Sequence, residues 1–399
     1  MKNESINQTA RAPKELQKEI TSSRNQLSIG IPRESDRREK RLALTPEAVD
    51  MISEAGHKIF LESGAGDGIN YSDNVYSEAG AVITGREEVF SSDCIMKIAP
   101  LTPDEIALVK KRASVFSMLQ IPDMSASALQ AMSEKNLNAV GYELLTDSGT
   151  FPIRDSISEI EGMAAVSVAS ELLNNERGGK GILFGGITGV SPAEVVIIGA
   201  GVAGTVITRI ALAMGATVKV FDSDLKKLRK LQKEVGLPVF TSVFQPNVLL
   251  NAFRSADVVF GAMRFIDEPV RFVISEDVIR AMKRGSLIID IRITQGGCFE
   301  TTCLLPDKEQ YVFEKHGITH YCVPNVSSRV ARTTSMALSN VLTNIILQMN
   351  IAGGIAPAIQ KEGILKSGFY MFSGKTVNPY VAKCFNLPAH DLGLFLSAF

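Results

Sequence analysis

The segment Glu194–Asp222, EVVIIGAGVAGTVITRIALAMGATVKVFD, decides the fold. It opens on an unbroken apolar run, Val195–Ile198, turns through glycines at 199, 201 and 204, and closes on a second apolar run that ends in Asp222. Short Val/Ile runs without polar alternation belong to strands buried on both faces, as in a parallel sheet covered by helices. Between two such strands the Gly-x-Gly-x-x-Gly spacing has a mechanical reading. Gly199 permits the tight turn, Gly201 lets the backbone approach a pyrophosphate, and Gly204 lets helix and strand pack closely. The helix that follows turns its free N–H groups and partial positive charge toward that pyrophosphate. Asp222, 23 residues after Gly199, is placed to accept hydrogen bonds from the adenosine ribose, and its charge opposes a 2′-phosphate, which favours NAD over NADP. Lys226 and Lys227 either approach the adenosine end or form a solvated helix face.

Outward from this unit the βα rhythm continues. Upstream, LSIGIP from Leu27, HKIFLE from His57, DCIMKI from Asp93, SVFSML from Ser114 and LNAVGYE from Leu137 read as strands, with a helix from Pro46 to Ala55. Downstream of the glycine loop, further strands are expected near Pro238–Thr241, in ADVVF and in SLIIDI. A long helix is expected over Ser158–Asn174. Ser158 at its mouth either caps it or hydrogen-bonds a nicotinamide carboxamide. The run TTSMALSNVLTNIILQM reads as a helix long enough to cross between domains. The fold class is therefore α/β: two doubly wound parallel-sheet domains, one a Rossmann NAD-binding domain, with a cleft between them. The expected division is a polar tail over 1–26 with a short helix near Glu15–Ile20, a substrate domain over 27–152 plus 332–399, and the NAD-binding domain over 153–331.

Composition narrows the function class. A chain of 399 residues exceeds what one core usually organises. Lys+Arg 42 against Asp+Glu 43 leaves no basic excess for a phosphate backbone, so nucleic acid is not an expected partner. No apolar run approaches the roughly 20 residues that span a bilayer, so no membrane partner is expected. The polar N-terminus lacks a signal-peptide core, so the expected location is cytoplasmic. The five cysteines (94, 298, 303, 322, 384) lack zinc-site spacing and read as reduced core thiols. The four histidines (57, 316, 320, 390) are equally dispersed, so no metal site can be argued.

Four segments together carry a resemblance: IGIPRESDRREKRLALTPEAV, GGKGILFGGITGV with the glycine loop, IDIRITQGGCFETT, and EKHGITHYCVPNVSSRVARTTSMALSN. Over about residues 27 to 385 the chain resembles the alanine dehydrogenase family and the related NAD-binding part of proton-translocating transhydrogenase. The resemblance implies an NAD-dependent amino-acid dehydrogenase, interconverting L-alanine and pyruvate by hydride transfer, and a homo-oligomer, usually a hexamer. It implies that Arg41 holds the substrate carboxylate, a task suited to a planar guanidinium, with Glu34 helping to orient Arg41. It implies cofactor contacts at Val202 and Ala203, at Met263 and Arg264, at Asn325, and along Ile291–Thr294 beside the nicotinamide.

At three positions the chain departs from that family. The substrate lysine of the K-V-K-E-P segment is Ala99, Lys97 matching only the first lysine. The acid/base histidine is Gln120, and the aspartate of I-D-Q-G-G is Thr294. Each change removes a titratable group, and neither glutamine nor threonine exchanges protons near neutral pH. Gln120 can still hydrogen-bond a carboxylate and Thr294 a water, so both are retained as catalytic candidates, with Arg41 and Lys97 on the substrate. Arg292 either binds a second carboxylate or points to solvent. The leading expectation is an alanine dehydrogenase-like oxidoreductase. The alternatives are a catalytically impaired NAD(H)-binding sensor or regulator and a soluble transhydrogenase-like subunit.

Overall fold

The structure, a computed structural model, describes residues 26–121, 124–264, 273–302, 311–352, 355–360 and 363–396. The expected helix near Glu15–Ile20 and the thiol of Cys303 lie outside the described residues. Two compact units divide the chain. One takes the described residues up to Ser156 together with those from Ala331 onward, and the other is Ile157–Val330.

The first unit carries β1 (Ser28–Ile31), β2 (Lys58–Glu62), β3 (Ala81–Thr84), β4 (Cys94–Met96), β5 (Ser114–Ser117) and β6 (Asn138–Gly141). They lie in the order β3-β2-β1-β4-β5-β6, every pair parallel. Helix α1 (Pro46–Glu54) follows β1, with Pro46 in its first turn, where the missing N–H removes no helix bond. The second unit opens in α2 (Pro152–Leu172) and carries β7 (Glu194–Ile198), the glycine loop and α3 (Val202–Ala213). It continues with β8 (Thr217–Phe221), β9 (Phe240–Ser242), β10 (Val258–Gly261), β11 (Leu287–Asp290), β12 (Val312–Lys315) and β13 (Ile318–Tyr321). Their order is β9-β8-β7-β10-β11-β13-β12, parallel except at the β12–β13 edge.

The apolar runs fill both faces of the second sheet because successive side chains alternate. Val195 and Ile197 join one core with Val258, Phe260, Leu287 and Ile289, while Val196 and Ile198 join the other with Phe221, Val259 and Ile288.

The chain returns to the first unit through α4 (Ala331–Ala352), which docks on the stretch around α1. Ser335 and Ser339 accept hydrogen bonds from Leu42 N (2.8 Å) and Thr45 N (3.0 Å). Beyond it, β14 (Phe369–Phe372) and β15 (Lys375–Thr376) add an antiparallel hairpin to β6.

The two parallel-sheet α/β units are as expected, with antiparallel pairs at one edge of each sheet. Two expectations need correction. The helix expected from Ser158 begins at Pro152, a first-turn position that proline favours, so Ser158 sits inside α2 and does not cap it. Finally, Cys94, Cys298 and Cys322 are buried thiols, but Cys384 is exposed on a short C-terminal helix.

Candidate functional site

In a doubly wound sheet, ligands bind beyond the carboxyl ends of the strands where strand order reverses. In the second unit that point lies between β7 and β10. The glycine loop leaves β7 there and meets the end of β10. Gly199 has φ +110°, and a β-carbon on it would lie 2.6 Å from Met263 N. A β-carbon on Gly204 would lie 1.9 Å from Gly199 O, so α3 rests directly on the turn. Gly201 differs. A β-carbon there would meet nothing within 4 Å, and as N-cap of α3 it offers no capping side chain. Two glycines of the motif are thus required by protein packing, and the third keeps open the approach to an uncapped helix start. A pyrophosphate fits that arrangement.

The remaining cofactor candidates are placed as follows. Val202 is half-buried and Ala203 buried in the first turn of α3. Asp222 is 1% exposed, and its carboxylate accepts from Ala200 N (2.7 Å) and Asp224 N (2.8 Å). It therefore ties the glycine loop to the start of the next helix, and the ribose role expected of it falls to lone pairs not used by these two bonds. Lys226 is exposed and Lys227 half-buried. Met263 takes a hydrogen bond on its carbonyl from Cys298 Sγ (3.6 Å), with Arg264 half-buried beside it. Asn325 adopts φ +54° and turns the chain back through Ser328 N to Asn325 O (2.7 Å).

Beyond β11, buried Ile291 donates to Gly261 O (3.1 Å), so this loop stands one strand over from the end of β10. The loop is organised by Asp290, a residue the sequence reading did not single out. It is fully buried, and its carboxylate accepts from Cys298 N (2.7 Å), Thr302 Oγ1 (2.7 Å) and Arg292 N (3.1 Å). Burial pushes its pKa up against these bonds. An acid closing the apolar run SLIID just before Gly-Gly was the available signal. Arg292 does not point to solvent, one of the two roles expected of it. Its guanidinium is buried, 2.9 Å from Glu161 and 3.4 Å from Ser158 Oγ. Thr294 lies half-buried in the short turn that follows.

In the first unit the order reverses between β1 and β4, and a charged cluster sits beyond their ends. Lys97, 2% exposed, lies 3.0 Å from Glu34 and 3.5 Å from Glu105. Glu34 also accepts from Ile98 N (2.6 Å) and Ala99 N (3.4 Å), and burial raises its pKa in spite of the Lys97 charge. Glu34 therefore orients Lys97, not Arg41 as expected. Arg41 is held instead by Glu39, which accepts from Nε (2.7 Å) and Nη2 (2.6 Å) in a buried fork. Gln120 follows β5 with φ +33°, a left-handed backbone that glutamine rarely adopts, and Glu143 takes the N–H groups of Leu119 (2.7 Å) and Gln120 (3.3 Å). Glu143 was missed because its partners lie on another strand end.

Comparison with known proteins agrees with both halves of this description. Residues 30–161 match the family model described as Alanine dehydrogenase/PNT, N-terminal domain, and residues 165–379 match its C-terminal domain. The chain belongs to the alanine dehydrogenase/PNT family. It is 33% identical over 356 residues to the alanine dehydrogenase of Bacillus subtilis, covering 89% of this chain and 94% of that one. It is 34% identical over 364 residues to the alanine dehydrogenase of Methanococcus maripaludis, covering 90% and 97%. Among solved structures, an L-alanine dehydrogenase superposes with TM-score 0.82 at 29% identity over 90% of this chain and 99% of that one. A transhydrogenase from Sinorhizobium meliloti superposes at 0.73 with 22% identity, over 88% and 99%, which shows the shared fold alone.

Proposed function

We propose that the chain is an NAD(H)-dependent dehydrogenase of a small amino or 2-oxo acid, with alanine and pyruvate as the first pair to test. The observation that carries this reading is the open approach over Gly201 to an uncapped helix start, at the switch point of a sheet whose other two motif glycines are packed tight. NAD, when bound, supplies the hydride acceptor, and NADH the donor. Arg41, its Nε and Nη2 held by Glu39, is the cation assigned to the substrate carboxylate. Gln120 and Thr294 hydrogen-bond substrate or water without exchanging protons. The family resemblance further supports a cytoplasmic homo-oligomer, and exposed Leu183, Ile187 and Val190 supply apolar surface for contacts between copies.

The test is to mix the protein with NADH, ammonium and a panel of 2-oxo acids and follow the nicotinamide absorbance. Pyruvate-dependent oxidation is the expected outcome. NADH binding with no oxidation by any acid would instead establish a nucleotide-binding regulator. That second reading is favoured by the lack of a protonatable side chain at Gln120 and Thr294, and by the pairing of Lys97 with two carboxylates.

A further inference from the structure

The Ser158–Glu161–Arg292 cluster carries more hydrogen-bond donors than the described residues satisfy. Arg292 Nε is buried with no acceptor among them. Ser158 is 5% exposed, and its Oγ accepts from Arg292 Nη2 at 3.4 Å while donating to no group of the described chain. A buried polar group left unmatched costs free energy comparable to a lost hydrogen bond, so an orphaned Arg292 Nε–H beside a serine proton with no acceptor among the described residues leaves room for a ligand acceptor.

The position of the cluster says which ligand brings that acceptor. Gly162, next to Glu161, lies so close to the first turn of α3 that a β-carbon there would come 2.9 Å from Ala203 O. The cluster therefore borders the glycine-loop helix. Arg292 leaves β11, two strands across from the glycine loop on β7, a distance of about 10 Å at the usual strand spacing. Charge narrows the ligand further. Glu161 lies 2.9 Å from Nη1 and neutralises the guanidinium, so the cluster suits an uncharged oxygen better than a phosphate or carboxylate.

We propose that Arg292, paired with Glu161, is a positioning residue for the nicotinamide. By occupying a lone pair of Ser158 Oγ it aims the serine proton at the carboxamide oxygen of the cofactor. This rests on the reading of the protein as an NAD(H) binder and deepens it. It also sets aside the second-carboxylate role open to Arg292 on sequence alone.

The test titrates the full chain by calorimetry with NADH and with ADP-ribose, which lacks the nicotinamide. Removing Arg292 alone would strand the Glu161 carboxylate, so the informative variant is Glu161→Gln/Arg292→Met, run beside Ser158→Ala. Each is expected to weaken NADH about tenfold, the size of one well-made hydrogen bond, and ADP-ribose less than twofold. Adding Ser158→Ala to the double variant should cost nothing more, because the three residues act as a unit. Equal losses for both ligands, or unchanged NADH affinity in either variant, would overturn the positioning role. If wild type bound neither ligand, the cofactor reading itself would fail, an outcome that the ADP-ribose arm separates from the first.

Discussion

Lys97 is held by more negative charge than it carries. Glu34 and Glu105 both approach its ammonium, and only Glu105 has a second cation, Arg86 at 2.6 Å. Removing one partner of a buried pair leaves the other uncompensated. Lys97→Met is therefore expected to cost about 3–5 kcal/mol, read as a lower urea midpoint. A loss under about 1 kcal/mol, the size of an exposed pair, would mean that the cluster is solvated. The same cluster has a pH signature. The Glu34 pKa is raised in the folded protein, foremost by burial, so the folded state takes up its proton more readily than the unfolded chain. Stability from this group is full below the unfolded value of about 4.3 and is lost as pH rises through the raised folded value. The stability difference between wild type and Glu34→Gln should accordingly shrink with rising pH in that window. A difference that grows with pH would reverse the assignment.

At the scale of the element, strand, glycine loop and helix make separable demands. A β-carbon at Gly204 collides with Gly199 O at 1.9 Å, whereas at Gly201 it meets nothing within 4 Å and the backbone is ordinary, φ −76°. Gly204→Ala should therefore destabilise the second unit by about 3 kcal/mol or more. Gly201→Ala should leave the melting temperature almost unchanged and weaken NADH at least tenfold, because its methyl occupies the path of the pyrophosphate. If both variants lost only stability, the loop would be a packing device and nothing more. The contrast also shows what a sequence discloses. The run from β7 to β8 is legible because interior strands buried on both faces leave an unbroken apolar signature, and the glycine spacing is local. Strands β3, β12, β13, β14 and β15 escaped because all are short, β3, β12 and β15 lie at sheet edges, and Thr319 and His320 interrupt the apolar signature of β13. The pairs Glu34–Lys97 and Arg292–Glu161 were not legible at all. Each joins distant segments, the latter 131 residues apart, and only the folded sheets bring such partners to one strand end.

Across the whole molecule, each of the two sheets is wound so that strand order reverses once, and each carries a distinctive group beyond that reversal: the buried Lys97–Glu34 pair in the first unit, the glycine loop in the second. At the two positions where the resemblance implies an acid/base group, Gln120 and Thr294 exchange no protons near neutral pH. The backbone at Gln120 lies in the left-handed region, φ +33°, with its N–H on Glu143, an unusual geometry for glutamine. If the scaffold still holds the family's geometry, restoring the two groups should restore proton transfer. Gln120→His with Thr294→Asp should then raise pyruvate- and ammonium-dependent NADH oxidation by about 10²–10⁴-fold, the usual contribution of a positioned acid/base. The rate of the variant should also depend on pH near 6.5, the ordinary histidine value. The single variants should gain less than the product of the two, since groups acting as a unit are not additive. Should the double variant bind NADH as the parent does yet show no added turnover, these two side chains would not be what limits the rate, and Lys97, locked between its two carboxylates, would be the next residue to vary.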